Sequence, residues 1–246
     1  MTATLERKDD LDRFADPLYT ATEAARYLGL PSSTLSRWAH GYRVQHEGRP
    51  DTVGAAVITS LSRRGGTRGP VIPFVGLAEG YTLAAIRASG VPLQRIRPAL
   101  EQLQSEIGVG HALASQRLFT DGAEVLYDYA EHVQDESVAS ATRELVVVRN
   151  GQHVLNDVVQ SYLRRIEFGP DGYAQVIPLP GYTAAELVVD TRRGFGQPVF
   201  LRGGARLEDV LALFYAGESL GVAAEEFGVP VDQIEDALRI AARHAA

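Results

Sequence analysis

The stretch YTATEAARYLGLPSSTLSRWAHG, residues 19–41, decides the fold of the N-terminal third of the chain. Thr20 and Glu23 have the spacing of a capping box, which predicts that a helix begins here. Gly29 predicts the end of that helix, and a second short helix follows the turn and stops at Gly41. Two short helices joined by a tight turn predict a helix-turn-helix.

The segment that follows, residues 41–70, is rich in glycine and arginine. It predicts either a wing-like hairpin or a long flexible loop. Residues 55–59 could form one strand of such a wing, and residues 71–74 could form an extended return.

Helical periodicity resumes near residue 76, and Leu93–Ile107 carries an amphipathic stripe that needs a partner surface, in its own core or in another protomer. Asp121-Gly122 is typical of a turn. From residue 145 onward short apolar runs predict strands, with Asn150-Gly151 as a tight hairpin turn and residues 153–163 as a helix. The last 45 residues return to helical spacing.

These patterns predict a mixed α/β fold that is mainly helical. We expect a winged helix-turn-helix at the N-terminus, a small β-containing middle region and a C-terminal module of three helices shaped like a second helix-turn-helix. The predicted organisation is a flexible arm over residues 1–16, a winged domain over 17–135 and a β-hairpin-containing region with the helical module over 145–246.

Composition restricts the possible functions. The 246 residues include no cysteine and carry a formal net charge of −7, so disulfides and thiolate metal sites are excluded. The beginning of the chain lacks the apolar core of a secretory signal, and no apolar run is long enough to span a membrane, so we expect a cytoplasmic protein.

The sequence offers little support for catalysis. The histidines show no metal-binding spacing, and the phosphate-binding loop does not occur. We therefore expect no catalytic residue, no metal and no cofactor, and hence no enzyme.

Charge is distributed unevenly along the chain. Residues 17–75 hold seven arginines but three carboxylates, whereas the remainder is acidic. Arginine and serine can contact phosphates and base edges, so the second predicted helix and the following segment are the candidate DNA-binding surface. The candidate residues are Ser32, Ser33, Ser36 and Arg37 on that helix, with Arg43, Arg63, Arg64 and Arg68 as phosphate contacts or, alternatively, as solvated charges of a flexible loop.

Two resemblances point to a family. Residues 19–30 and 33–38 resemble the opening of MerR-type winged helix-turn-helix regulators, and residues 89–97 resemble the segment that follows the wing in that family. The C-terminal part resembles the small antitoxin-like domain of unknown function that is found beside PIN-domain ribonuclease toxins, over residues 190–192, 195–199, 203–207, 216–219, 223–229 and 231–238. Together the two segments resemble a long VapB-type antitoxin.

The resemblance implies a PIN-domain ribonuclease toxin of the VapC type and operator DNA as partners, and a homodimer that reads two half-sites. Because the metal site of such a ribonuclease is acidic, an arginine could close it. The candidate toxin-binding residues are Arg192, Arg193, Arg202 and Arg206. The alternatives are a MerR-like regulator without a toxin partner and a purely structural or adaptor protein.

Overall fold

The structure is a computed structural model, and it describes residues 11–46, 49–62 and 69–245. The chain is mixed α/β, with about half of its residues in helices. The helices are α1 (Ala21–Tyr27), α2 (Ser32–His40), α3 (Phe74–Ala88), α4 (Leu93–Ile107), α5 (Gln116–His132), α6 (Glu136–Arg143), α7 (Asp157–Leu163), α8 (Leu207–Tyr215), α9 (Leu220–Phe227) and α10 (Val231–Ala245). The strands are β1 (Tyr42–His46), β2 (Arg49–Gly54), β3 (Val146–Arg149), β4 (Gln152–Leu155), β5 (Glu167–Phe168), β6 (Ala174–Pro178), β7 (Leu187–Asp190) and β8 (Pro198–Phe200).

Helix α3 is the centre of the fold. Its sequence is apolar on every side, and all its residues from Phe74 to Ile86 are buried, as expected of a helix that is surrounded by other elements. Its buried polar groups have partners inside the protein: the Thr82 hydroxyl donates a 2.7 Å hydrogen bond to the carbonyl of Leu113. Helices α2, α4 and α7 and strand β6 pack against this helix.

The N-terminal helix-turn-helix forms from the local signals in the sequence. The Thr20 side chain accepts from the amide of Glu23, whose carboxylate accepts from the Thr20 amide, so the capping box is complete. Gly29 adopts a left-handed conformation (φ 66°) that turns the chain toward α2. Leu35 and Trp38 on α2 are buried and hold this helix against the core.

Strands β1 and β2 form an antiparallel hairpin directly after α2. The strand expected at residues 55–59 is wrong, because this segment instead runs along the end of α2, where the amides of Val57 and Ile58 donate to the Trp38 carbonyl. The expected return over residues 71–74 is limited to a bridge between Ile72 and Tyr19.

Helices α4, α5 and α6 pack on one another. The apolar stripe of α4 is buried within the chain itself, so it needs no second protomer. The turn expected at Asp121-Gly122 is wrong, because both residues lie inside α5. Gly122 allows close packing there: a Cβ at this position would lie 2.9 Å from Leu118 Cδ1. The Asp121 carboxylate forms an ion pair with Arg117, whose Nε lies 3.0 Å away and one helical turn earlier.

The middle region contains a hairpin and an antiparallel sheet. Strands β3 and β4 are joined at Asn150-Gly151, as the sequence predicts, but β4 occupies the first part of the expected helix over residues 153–163. The sheet has the order β5-β6-β7-β8.

The C-terminal helices α8, α9 and α10 are fixed to this sheet through α10. The carboxylate of Asp236, on α10, accepts hydrogen bonds of 2.7, 2.7 and 3.1 Å from three successive amides, those of Thr183, Ala184 and Ala185, which lead into β7. Asp236 is 2% exposed. A side chain that the sequence places among surface acids therefore holds the last helix to the sheet.

The N-terminal segment is attached to the same sheet. Arg13 pairs with Asp171 and donates a 2.8 Å hydrogen bond to the carbonyl of Ala174, so residues 11–16 of the predicted arm are in contact with the rest of the chain. The Gly181 amide donates to the Tyr27 carbonyl beside the turn at Gly29. Buried residues from all parts of the chain form one large cluster, and the division into domains stays a prediction.

Candidate nucleic-acid and partner interfaces

Helix α2 exposes a hydroxyl-rich face. Because Leu35 and Trp38 point into the core, the residues between and before them face outward: Ser32, Ser33 and Arg37 are exposed, and Ser36 is half-buried. Among the described residues no carboxylate pairs with Arg37. Its guanidinium is therefore available to an acceptor from outside this part of the chain.

A shallow groove of about 470 Å³ lies between this face and the start of α1. Hydroxyl groups from Thr20 and Thr22 on one side and from the α2 serines on the other line it, together with His40. Hydroxyls can donate to phosphate oxygens or contact base edges, so the groove has the chemistry of a nucleic-acid contact. The structure brings the three serine candidates of α2 into this groove, whereas Arg37 is exposed and is not among the lining residues.

The β1–β2 hairpin is fixed at its base. Arg97 of α4 donates to the carbonyl of Ala55, and its guanidinium lies 5.8 Å from the centre of the Tyr42 ring. Arg43, a predicted phosphate contact, lies on the hairpin and pairs with Asp51 at 3.1 Å. A phosphate would therefore compete with Asp51 for Arg43. The other predicted contacts, Arg63, Arg64 and Arg68, lie outside the described residues.

Arg192 and Arg193 share one carboxylate. Arg192 binds Asp190 with two donors at 3.0 and 3.2 Å, and Arg193 binds it with Nε at 2.9 Å. The Asp190 side chain is 1% exposed, whereas both arginines are about half exposed. Burial alone would raise the pKa of Asp190, but the hydrogen bonds from the two arginines outweigh it and lower the pKa. Both guanidinium groups are thus held in place at the surface.

The other two candidate toxin-binding arginines have different settings. Arg206 makes two hydrogen bonds to Asp209, one of them 2.8 Å long, and it lies beside the loop after β7, near Gly194. Arg202 follows the opposite end of β8 and is exposed, and within the described ranges it makes no ion pair. The structure therefore brings Arg192, Arg193 and Arg206 to one end of the sheet and leaves Arg202 at the other.

A buried acid escaped the sequence analysis. Glu79 of α3 is 2% exposed and contacts the amide of Thr59 and Nδ1 of His111, the latter at 3.1 Å. This hydrogen bond raises the pKa of His111 against the opposing effect of burial. The cluster connects the segment after the hairpin to the central helix, and no periodicity could reveal it because Glu79 lies in an otherwise apolar helix.

Phe195 is a second residue that the sequence analysis missed. Its ring is 74% exposed on the loop between β7 and β8. The flanking glycines in Gly194-Phe195-Gly196 were the available signal, since they indicate unusual backbone conformations.

The described residues contain neither a candidate metal site nor a candidate membrane span. No group of three or more histidine, aspartate or glutamate side chains is placed to hold a metal ion. No helix in the described ranges is long and apolar enough to cross a membrane.

Comparison with known proteins links the whole chain to mycobacterial relatives. Residues 17–100 match the family described as "Putative DNA-binding HTH domain". The chain is 47% identical over 227 residues to "Putative antitoxin VapB45" of Mycobacterium tuberculosis, covering 92% of this chain and 94% of the relative. It is 28% identical over 247 residues to "Uncharacterized protein Rv2308" of the same organism, covering 97% and 94%. The crystal structure of Rv2018 from M. tuberculosis superposes with a TM-score of 0.75 at 46% identity, over 92% of this chain and 99% of that one.

Proposed function

The chain belongs to the long VapB-type antitoxins, the family of its relative VapB45, and from this membership we propose that it neutralises a PIN-domain ribonuclease toxin and represses its own operon. The observation that carries the proposal is the 47% identity to an antitoxin-named protein over almost the full length of both chains. The proposed role is that of a regulator and assigns no catalytic activity. An operator and a ribonuclease would both be met in the cytoplasm.

The proposed DNA-binding unit is a winged helix-turn-helix within residues 17–135. The exposed face of α2 would enter the major groove with Ser32, Ser33, Ser36 and Arg37 toward the bases. The β1–β2 hairpin would act as the wing, with Arg43 and the arginines at 63, 64 and 68 contacting phosphates. The local excess of arginine supports this assignment in a chain whose net charge is −7.

We infer a homodimer as the DNA-binding form, because regulators of this shape read two half-sites with two copies of one helix. The apolar stripe of α4 does not supply the dimer contact, since it is buried in its own chain. We therefore propose that a surface other than the apolar stripe of α4 forms the dimer interface.

The proposed toxin-binding region lies within residues 145–246, where Arg192, Arg193, Arg202 and Arg206 can approach the acidic metal site of a ribonuclease. Apolar residues of the C-terminal three-helix module would supply the rest of the contact. Tyr215, Val222 and Val231 are exposed there, which supports this assignment.

Coexpression with the ribonuclease from the adjacent reading frame tests toxin neutralisation. The intact chain is needed, because a cut at residue 180 would separate the paired strands β6 and β7. We expect growth rescue and a stable copurified complex, weakened by Arg202→Ala and unchanged by Arg95→Ala, a control at an exposed arginine of α4 outside the proposed toxin-binding region. Absence of any complex would overturn the antitoxin proposal, and operator binding without a complex would favour the MerR-like alternative.

Gel shifts on the DNA upstream of the operon test autoregulation. Because phosphate contacts release counterions, the affinity should fall steeply as salt is raised. Equal affinity for upstream and unrelated DNA would contradict the repressor role.

A further inference from the structure

Phe195 is held in a backbone conformation that bulky residues rarely adopt. Its φ is 54°, and Gly194 and Gly196 on either side have φ of 61° and 73°. The other non-glycine residues with positive φ in the described part of the chain are His111 and Asn150. Asparagine and histidine are enriched in this region of conformational space, whereas a bulky aromatic residue there is an outlier.

Packing beneath the loop fixes this conformation. The Tyr19 hydroxyl donates to the carbonyl of Gly196, and the amide of Gln197 donates a 2.9 Å hydrogen bond to Gly194. A Cβ at Gly194 would lie 2.8 Å from Val199 Cγ1, and a Cβ at Gly196 would lie equally close to Leu18 Cδ1. Both glycines thus face packed atoms, and Phe195 between them projects into solvent.

The Phe195 ring contributes little to the stability of the described part of the chain. An aromatic side chain that is 74% exposed contributes little burial, and the positive φ opposes folding. Strained backbone of this kind persists where the surroundings over-determine it, and it concentrates at binding sites. The backbone of the loop is already fixed, so a partner that covers the ring orders the side chain and not the loop.

Arg192 and Arg193 complete the surface. Asp190 beneath them fixes both guanidinium groups, and Arg193 uses its Nε for this contact, which leaves its two terminal nitrogens for an outside acceptor. Aromatic residues and arginine are the types that dominate binding energy at protein interfaces. The loop therefore presents an exposed ring on a fixed backbone, close in sequence to guanidinium groups that Asp190 holds in place.

We propose that Phe195 is the anchor of the antitoxin on its toxin, inserting into an apolar pocket whose rim supplies carboxylate or carbonyl oxygens to Arg192 and Arg193. The inference rests on the proposed function and assigns its contact to one loop. A protein is the favoured occupant, because the ring supplies an apolar contact, whereas the neighbouring arginines are already paired with carboxylates and add hydrogen bonds rather than net positive charge.

Two other occupants fit less well. A nucleic acid would meet the carboxylates of Asp190, Glu167 and Asp209, which already neutralise the neighbouring arginines. A second copy of the chain around a two-fold axis at this loop would set guanidinium groups against each other.

The test measures toxin binding by full-length variants. Phe195→Asn removes the ring but keeps a residue that tolerates positive φ, so it should weaken the complex by about 30-fold or more without lowering the melting temperature. Phe195→Tyr keeps the ring and should bind within about threefold of the parent. Phe119→Ala removes an exposed aromatic side chain of α5 and is the matched control.

The outcomes separate this inference from the proposed function. If the parent binds the toxin and Phe195→Asn binds equally well, the anchor is overturned and the antitoxin role stands. If the parent binds no toxin, both fall. The anchor is also overturned if Phe195→Asn changes the oligomeric mass or single-stranded nucleic-acid binding while leaving toxin affinity unchanged.

Discussion

Two pairs of short helices, one in the N-terminal helix-turn-helix and one near the C-terminal end of the described residues, share one local design. The pair α1–α2 and the pair α9–α10 align without a gap, from the capping hydroxyls of Thr20 and Ser219 to the prolines that precede the second helices. The turn glycines, Gly29 and Gly228, have φ of 66° and 62°. The aligned Leu35 and Ile234 are both fully buried. The same kinds of capping hydroxyl, turn glycine and buried apolar residue thus produce the same local shape in both pairs.

The outward faces of the two units differ. Arg37 on α2 is exposed, whereas the aligned residue on α10 is Asp236, which is buried against the amides before β7. Ser33 and Ser36 correspond to Asp232 and Glu235, whose carboxylates would repel phosphate. The comparison teaches that a helix-turn-helix shape specifies no function by itself: side chains outside the shared core hold α10 against the amides before β7 and leave the corresponding face of α2 exposed.

The largest expected effect is on stability and follows substitution of Asp236, the buried acid of α10. Asp236→Ala should lower the free energy of unfolding by about 3 kcal/mol, because it leaves three backbone amides without their charged acceptor. Urea denaturation of the intact chain measures this. Asp232→Ala, at an exposed position one turn earlier, should stay within about 0.5 kcal/mol. Equal effects of the two substitutions would contradict the docking role of Asp236.

Lowering the pH tests the contribution of Asp236 to the stability of the fold in a second way. Burial would raise the pKa of Asp236, but the amide donors and Arg239 outweigh it and lower the pKa. The stabilisation is therefore complete above the ordinary aspartate pKa of about 3.9 and is lost as pH falls through the lower folded-state value. The stability gap between the parent and Asp236→Ala should narrow when the pH is lowered from about 5 to about 3. A constant gap would assign the stabilisation to packing.

The next largest effect is expected in DNA binding, in which α2 and α10, the second helices of the two pairs, should differ. Arg37→Ala should weaken binding to the proposed operator by about 2 kcal/mol if Arg37 pairs with a base. Arg243→Ala, which removes an exposed arginine from α10, should leave the affinity unchanged. Quantitative gel shifts at fixed salt measure both variants. An unchanged isotherm for Arg37→Ala would remove this residue from the base-reading set.

The smallest effect concerns the caps. Thr20→Ala should cost about 1 kcal/mol, because it breaks a reciprocal box in which Glu23 also accepts from the Thr20 amide. Ser219→Ala should cost about 0.5 kcal/mol, since Ser219 makes a single 3.3 Å contact with the Val222 amide. Thermal unfolding of both variants measures the difference, and a larger loss at Ser219 would reverse the expected order.

Local signals in the sequence predicted the features that depend on local chemistry. The capping box at Thr20, the hairpin turn at Asn150-Gly151 and the outward face of α2 depend on neighbouring residues, and the structure places them as expected. The turn predicted at Asp121-Gly122 failed because both residues continue α5, where Gly122 is buried and faces Leu103 of α4 across the helix contact, a tertiary effect that composition does not reveal.

The candidate sites show the same limit. The arginines after β7 were identifiable by their type, but their shared carboxylate depends on the burial of Asp190. Asp236 has the spacing of a surface acid, and its amide partners lie about fifty residues earlier in the chain. The exposure of Phe195 depends on packing beneath both neighbouring glycines, which includes contacts with the N-terminal segment.

The attachment of the N-terminal segment to the middle sheet has a consequence for the order of folding. Arg13, Tyr19 and the turn at Gly29 are held by Asp171, Gly196 and Gly181. During synthesis the helix-turn-helix leaves the ribosome first, but its anchoring residues are translated much later. Contacts between residues so distant in sequence close large loops and form slowly. A segment that is made before the sheet is therefore secured only after the sheet has formed, and a ribosome that stalls before the sheet is complete leaves the helix-turn-helix without its support.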